Sequence, residues 1–272
     1  MKPQFDDNDF RKGVILYGLN QATYKIALGK SLIELDSLNK EVIDWNVRRC
    51  QDKMNQSLGT NIRVLEIGPG SVPFPLANVR VDVQAPPPSS EIQVIPMDVD
   101  KDLYLNDTDD FIYGYARHVF EDLQNPDFAF REMTRVCQNG YIETPSPLIE
   151  CLKNVDCFHN VSYRGYVHHR YIIWTEKGIL HMLPKFPILE HLQFPPFLED
   201  HWIQIANDFP LFWNNYYTWS KPHSPPQCKI YKHGLDFQIS RDYYNLVCHA
   251  VEQSIQETQM MVEQFQQPRP TL

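Results

Sequence analysis

Three groups of residues in this chain have the types and spacing to do chemistry. The first is Glu66, Gly68, Pro69 and Gly70, which close a short apolar run from Arg63 to Ile67. Glycine accepts positive φ and lets a ligand come close to the backbone. A second apolar run, Val79 to Val83, carries Asp82 near its end, where an acid can accept hydrogen bonds from a ribose. Strand, glycine turn, crossover and acid-bearing strand suit an adenosine-containing cofactor. The second group, Tyr115, Ala116, Arg117 and His118, follows the apolar run 110–114 and is expected to wall the site, because open α/β sheets bind ligands beyond the carboxyl ends of their strands. The third group is the stretch from Tyr163 to Tyr171, with Arg164, His168, His169 and Arg170. Histidine titrates near neutral pH, so His168 or His169 could take a proton from an acceptor hydroxyl. The arginines could hold an anionic acceptor.

The spacing also excludes chemistry. A dinucleotide fingerprint needs Gly-x-Gly-x-x-Gly, and position 73, where the third glycine would fall, is Pro73. Six cysteines show no paired spacing, and a disulfide scaffold is not expected in a chain of 272 residues. Cys151, Cys157 and His159, with His168 and His169 beyond them, have zinc-ligand types without the tight pairing of strong zinc signatures. No metal is expected. A net charge of −9 argues against a nucleic-acid phosphate footprint. No apolar run approaches the ~20 residues of a membrane span, and the acidic start MKPQFDDNDF lacks a signal-peptide core. A cytoplasmic protein without membrane partners is expected, with a homodimer possible.

The elements that must position these groups follow from periodicity. Helices are expected over Gln21 to Leu35 and Leu38 to Met54, the second with an apolar stripe of Ile43, Val47, Cys50 and Met54. Only 71–78 separate the glycine turn from the next strand, and Pro73 and Pro75 lie there. A parallel crossover usually takes a dozen or more residues, so this one is abbreviated. The proline run 85–88 abbreviates the next. A third strand is expected over Ile92 to Ile95, a fourth over Asp110 to Gly114, and a fifth over Gly140 to Thr144. Glu121 and Asp122 are expected to begin the helix that carries Phe128, Met133 and Val136. Thr175 starts a further helix continuing through Leu183. Pro187 to Leu192 reads as a strand, the aromatic cluster Phe209 to Trp219 as core, and Lys229 to Ile239 as a closing hairpin. Arg241 to Gln266 reads as a long helix.

In their order, Glu66-Ile-Gly68-Pro-Gly70, His118-Val-Phe-Glu121-Asp122-Leu-Gln-Asn-Pro126 and Gly140-Tyr-Ile-Glu143-Thr-Pro145 resemble class I S-adenosylmethionine-dependent methyltransferases of the type 11-like kind, over roughly residues 60 to 190. The resemblance implies an α/β fold: a Rossmann-like, mostly parallel sheet with helices on both faces and an antiparallel hairpin at the far edge, to which the spacing adds the abbreviated crossovers after strands 1 and 2. It implies an N-terminal helical cap over 1–58, a core over 59–240 with inserted acceptor-side loops at about 146–175 and 195–225, and a C-terminal helix and tail over 241–272. It also implies that Asp98 binds the adenine amino group with Val99 against the ring, and that Tyr163, Arg164, Arg170 and Arg117 face the acceptor. S-adenosyl-L-methionine is the expected cofactor. The expected reaction is methyl transfer to a small-molecule or glycan acceptor, at oxygen, with His118, His168 or His169 as base. A non-catalytic cofactor-binding or scaffold protein of the same fold is the alternative. Two departures from the family's pattern stand out: Val72 replaces a third glycine, and the histidine expected at Asp122 is at His118.

Overall fold

In a computed structural model of the chain, the described residues are 32–57, 62–70, 72–83, 94–102, 111–153, 155, 163–231 and 239–265. The elements begin with helix α1 (Leu32–Gln56), strands β1 (Val64–Ile67), β2 (Val79–Asp82), β3 (Ile95–Pro96) and β4 (Phe111–Arg117), helix α2 (Pro126–Val136), strand β5 (Cys137–Pro145) and the short helix α3 (Pro147–Cys151). They continue with strands β6 (Tyr171–Glu176) and β7 (Ile179–Pro184), helix α4 (Pro196–Asp208), strands β8 (Asn214–Ser220) and β9 (Cys228–Ile230), and helix α5 (Ile239–Phe265).

Six strands form one sheet in the order β3-β2-β1-β4-β5-β8. Every neighbouring pair is parallel except β5 and β8, which run antiparallel at the far edge. β1 is buried along its whole length, as its near-continuous apolar run requires. Its alternating side chains divide the core. Leu65 and Ile67 face a cluster that includes Phe130 and Met133 of α2 and Ile173 and Met182 of the β6–β7 hairpin. Val64 faces the opposite cluster, with Tyr113, Tyr141, Val42 and Cys50 of α1, and Phe265 at the end of α5. The fold is therefore α/β and Rossmann-like, with a mostly parallel sheet and helices on both faces. A third cluster joins α3, α4 and α5 to the back of β6 and β7, around Trp174, Trp202 and Tyr243.

Several expectations are corrected. Leu32–Gln56 is one helix passing through Asp36 and Ser37, where two were expected; residues before 32 lie outside the described set. Its buried residues are Val42, Asn46 and Cys50, with Val47 and Met54 of the expected stripe half-buried against the same cluster and Ile43 outside it; the Asn46 side chain accepts a hydrogen bond from the Tyr113 hydroxyl at 2.8 Å. In the first crossover, residues 72–78 form turns and no helix. The second, 84–93, lies outside the described residues. β3 begins at Ile95, where the expected strand ended, and β4 runs on to Arg117. α2 starts at Pro126, past Glu121 and Asp122, because proline suits a first helical position.

Thr175 to Leu183 is not a helix. Lys177 and Gly178 both take positive φ, at 51° and 75°, and close a two-residue hairpin between β6 and β7. Pro187–His191 is a 3-10 turn, not a strand. β9 pairs parallel with β7, so Cys228–Ile230 completes a separate three-stranded sheet. The rest of the expected closing hairpin, 232–238, lies outside the described residues, and α5 begins at Ile239. The stretch 195–225, expected as an acceptor-side insertion, contains α4 and the sheet's own edge strand β8.

Candidate functional site

The strand order reverses between β1 and β4, and at such a switch point the loops leaving the two strands diverge and open a crevice. The cleft found there has a volume of about 460 Å³, within the ~300–1,000 Å³ usual for small-molecule sites. Ile67, Gly68 and Gly70 lie at its base, Val81 and Asp82 on the β2 side, Met97 to Asp100 after β3, and His118, Val119, Asp122 and Leu123 after β4.

The glycine turn is shaped for this position. Gly68 and Gly70 have φ of 65° and 52°, and the Gly68 N–H donates to the Val81 carbonyl at 2.9 Å, tying the turn to β2. The Val119 side chain packs directly over Gly68. The charge of the cleft is one-sided: among the described residues Asp82, Asp98, Asp100 and Asp122 line it with His118, and no lysine or arginine does.

Two of these aspartates also hold loops together. Asp98 Oδ1 accepts from the Asp100 N–H at 3.1 Å, and its Oδ2 pairs with Lys101 at 2.8 Å. Lys101 and that N–H hold the Asp98 carboxyl below its ordinary value. Asp98 thus closes the turn after β3 and lines the cleft with the same side chain. Asp100 accepts from the Gln124 and Asn125 N–H groups at 3.0 and 2.8 Å, and so staples the turn after β3 to the entrance of α2.

Of the residues expected to bind cofactor, Gly68, Gly70, Asp82, Asp98 and Val99 line the cleft. Glu66, Pro69, Tyr115 and Ala116 do not. Glu66 points to the opposite face of β1, where its carboxylate accepts from the Phe74 N–H at 2.6 Å and the Arg80 Nε at 3.0 Å. Burial pushes this carboxyl up to about 7, against the pull of those donors. It braces the turns over 72–78 and contacts no ligand space. Pro69 is buried beneath the turn. Tyr115 and Ala116 are inside the sheet because β4 extends beyond them; Tyr115 stacks between Phe74 and Tyr141.

Among the expected bases, His118 lines the cleft. It has a φ of 53°, rare for a residue with a side chain. Its Nδ1 is 3.5 Å from Glu121 Oε1 and its Nε2 is 3.6 Å from Glu143 Oε1, both carboxylates being buried. His169 is buried and its Nδ1 meets Glu150 Oε1 at 2.6 Å, while its Nε2 lies 3.9 Å from Asp122 Oδ1. His168 is exposed, its Nε2 also 3.9 Å from Asp122 Oδ1. Burial disfavours the charged form of His169, but the Glu150 carboxylate outweighs it and raises the imidazole above its ordinary value. Burial also tends to raise the Glu150 carboxyl, yet Lys185, at 2.6 Å, and His169 hold it below the usual range.

The expected acceptor contacts do not form one surface. Arg117 pairs with Glu143 at 3.0 Å, beside His118. Arg164 is only 2% exposed. Its guanidinium donates to the carbonyls of Cys151 and Leu192, pairs with Glu199 at 2.7 Å and lies over the Phe194 ring. That is a structural anchor, closed to any acceptor. Arg170 Nε donates to the Asp122 carbonyl at 3.1 Å. Tyr163 is exposed at the edge of the described stretch. Cys151 is buried in an apolar cluster, and Cys157 and His159 lie outside the described residues. Asp122, placed at a helix start by sequence reasoning, instead reaches the cleft; its one sequence signal was its distance past the end of the fourth strand.

No family model matches the chain, and no curated protein matches it. Among solved structures, it is similar to an S-adenosylmethionine-dependent methyltransferase from Mesorhizobium loti at 15% identity, covering 34% of this chain and 50% of the other, with a TM-score of 0.26. It is similar to the [4+2]-cyclase SpnF at 16% identity, 37% and 45% coverage and a TM-score of 0.27. The YcgJ protein of Bacillus subtilis matches at 13% identity, 43% and 61% coverage and a TM-score of 0.27. The chain thus spans about half the length of the first of these structures. The fold itself is defined by the strand order and directions described above.

Proposed function

We propose that the chain binds S-adenosyl-L-methionine in this cleft and transfers its methyl group to a small-molecule or glycan acceptor, at oxygen. The carrying observation is the acidic lining: Asp82, Asp98, Asp100 and Asp122, with no lysine or arginine among the described lining residues. A pyrophosphate-containing dinucleotide would be repelled there. A nucleoside whose sulfonium and ammonium outnumber its one carboxylate would be attracted. The loop after the glycine turn agrees, because 72–78 offer no helix N-terminus to hold a phosphate.

In this reading Asp82, at the end of β2, accepts from the ribose hydroxyls. Asp98 accepts from the adenine amino group with Val99 and Met97 beside the ring, and the Gly68–Gly70 turn admits the rest. Bound there, the sulfonium supplies an already electrophilic methyl group. The chain's own task is to place an acceptor in line with it, and proximity supplies much of the rate. His118 stands at the cleft edge and takes the proton from an acceptor hydroxyl. The Glu121 and Glu143 carboxylates on either side of its ring stabilise the imidazolium that results.

Isothermal titration tests the binding half. S-adenosylmethionine and its demethylated product should bind, and NAD should not. A methyl-release assay over hydroxyl-bearing acceptors then tests the transfer. No heat with either nucleoside would overturn the proposal.

A further inference from the structure

We propose that Asp122, His168 and His169 form a binding site for one divalent transition-metal ion of the zinc class, at the rim of the cleft. One ligand atom from each of the three side chains lies within 4.8 Å of the others. Both imidazole Nε2 atoms are 3.9 Å from the same carboxylate oxygen, Asp122 Oδ1. Ligands about 2.0–2.2 Å from a tetrahedral zinc are about 3.3 Å apart. Closing the site around an ion would therefore bring each Nε2 roughly half an ångström nearer Asp122 Oδ1 and draw the two imidazoles, whose ligand atoms lie within 4.8 Å of each other, to a similar spacing. Asp122 and His168 are exposed, and His169 is buried.

The fixing of His169 is itself what a ligand histidine needs. Its Nδ1 is held against Glu150 at 2.6 Å, and Lys185 lies 2.6 Å from the other Glu150 oxygen. With Nδ1 turned to Glu150, Nε2 is the ring nitrogen on the side of Asp122. A carboxylate behind a histidine, setting its tautomer and raising its basicity, is the usual outer support of a metal-bound imidazole.

A second observation concerns the charge beside the site. Glu121, next to Asp122, is 1% exposed; neither of its carboxyl oxygens makes a hydrogen bond, and Oε1 lies 3.5 Å from His118 Nδ1. Its charge acts on both Asp122 and His169. A buried carboxylate without hydrogen bonds is costly, and a dication on its neighbour would offset that cost. The backbone holds the two segments together for this purpose. The Glu121 carbonyl accepts from the Arg170 and Tyr171 N–H groups at 2.7 and 3.2 Å, and the Asp122 carbonyl accepts from Arg170 Nε. Two imidazoles and one carboxylate, with no thiolate, suit zinc and its first-row neighbours over magnesium or calcium. Three protein ligands leave a coordination position open.

The test uses the full chain, stripped with a chelator and titrated with zinc chloride in competition with a chromophoric chelator, without any nucleoside. One zinc per chain is expected. His168→Ala and Asp122→Asn should each weaken binding at least tenfold, and Glu150→Gln by about 10- to 100-fold. His168 is exposed, so His168→Ala should keep the wild-type circular dichroism spectrum, and loss of zinc in that variant cannot be assigned to unfolding. His201→Ala, an exposed histidine on α4, should bind zinc as the wild type does. Equal zinc affinity in wild type and His168→Ala would overturn the proposal, as would a wild-type chain that takes up no zinc. Zinc is read here without S-adenosylmethionine, so this failure and failure of the methyl-transfer reading are distinguishable.

Discussion

Replacing Gly68 by alanine should destabilise the chain by about 2–5 kcal/mol, and the structure separates the two causes. Gly68 has a φ of 65°, a left-handed conformation that costs an L-residue roughly 1–2 kcal/mol. A Cβ there would also lie 2.5 Å from Val119 Cγ2. Valine is stiff at χ1, so the contact is relieved by backbone or rotamer strain, and overpacking of this kind costs about 1–3 kcal/mol. Gly70 is the internal control. Its φ is 52°, but nothing lies within 4 Å of a Cβ at that position. Gly70→Ala should therefore cost only the conformational part, about 1–2 kcal/mol. Urea unfolding followed by tryptophan fluorescence and far-UV circular dichroism gives the midpoints and slopes. In a Val119→Ala background the clash is removed, and Gly68→Ala should fall to the cost of Gly70→Ala. If the two alanine variants are equally stable in the Val119 background, the close packing of Val119 over the turn is refuted.

Asp82→Ala should leave the unfolding midpoint near wild type while weakening S-adenosylmethionine roughly 10- to 100-fold, the value of a charge-assisted hydrogen bond; unchanged affinity by titration calorimetry would remove Asp82 from the site. Arg164→Met should destabilise by about 3–5 kcal/mol, since it leaves Glu199 and two buried carbonyls without their partner. An Arg164→Met chain as stable as wild type would restore Arg164 as a free group. His181 gives the pH dependence. Burial beside Trp174 pushes its imidazole down to about 4 from the ordinary 6.5. Between those values the unfolded chain binds the extra proton, so this contribution is intact above about 6.5 and lost as pH falls toward 4, with a slope of at most about 1.4 kcal/mol per pH unit. The difference in unfolding midpoint between wild type and His181→Gln should narrow as pH is lowered through that window; a constant difference would sink the assignment.

The sequence by itself determined the elements whose signals are local. The apolar run before Gly68, the Gly68–Gly70 turn and the acid of the next strand were legible because strand burial and turn chemistry are written in adjacent residues, and Ile67, Gly68, Gly70 and Asp82 reach the cleft; Asp98 reaches it too, but only the family resemblance pointed to it. The hairpin at Lys177 and Gly178 was equally local, but Thr175-Glu-Lys also matches a helix start, and only pairing with β7 decides between them. The tertiary structure alone decided what each side chain faces. A strand's period of two put Glu66 on the far side of β1 from the ligand, and three further residues of β4 drew Tyr115 and Ala116 into the sheet. Arg164 looked like an anion binder and is a buried anchor, because its partners come from Cys151, Leu192 and Glu199. The meeting of Asp122 with His168 and His169 rests on backbone hydrogen bonds between segments far apart in the chain. No spacing rule reads such a meeting, because it depends on where the sheet delivers each loop.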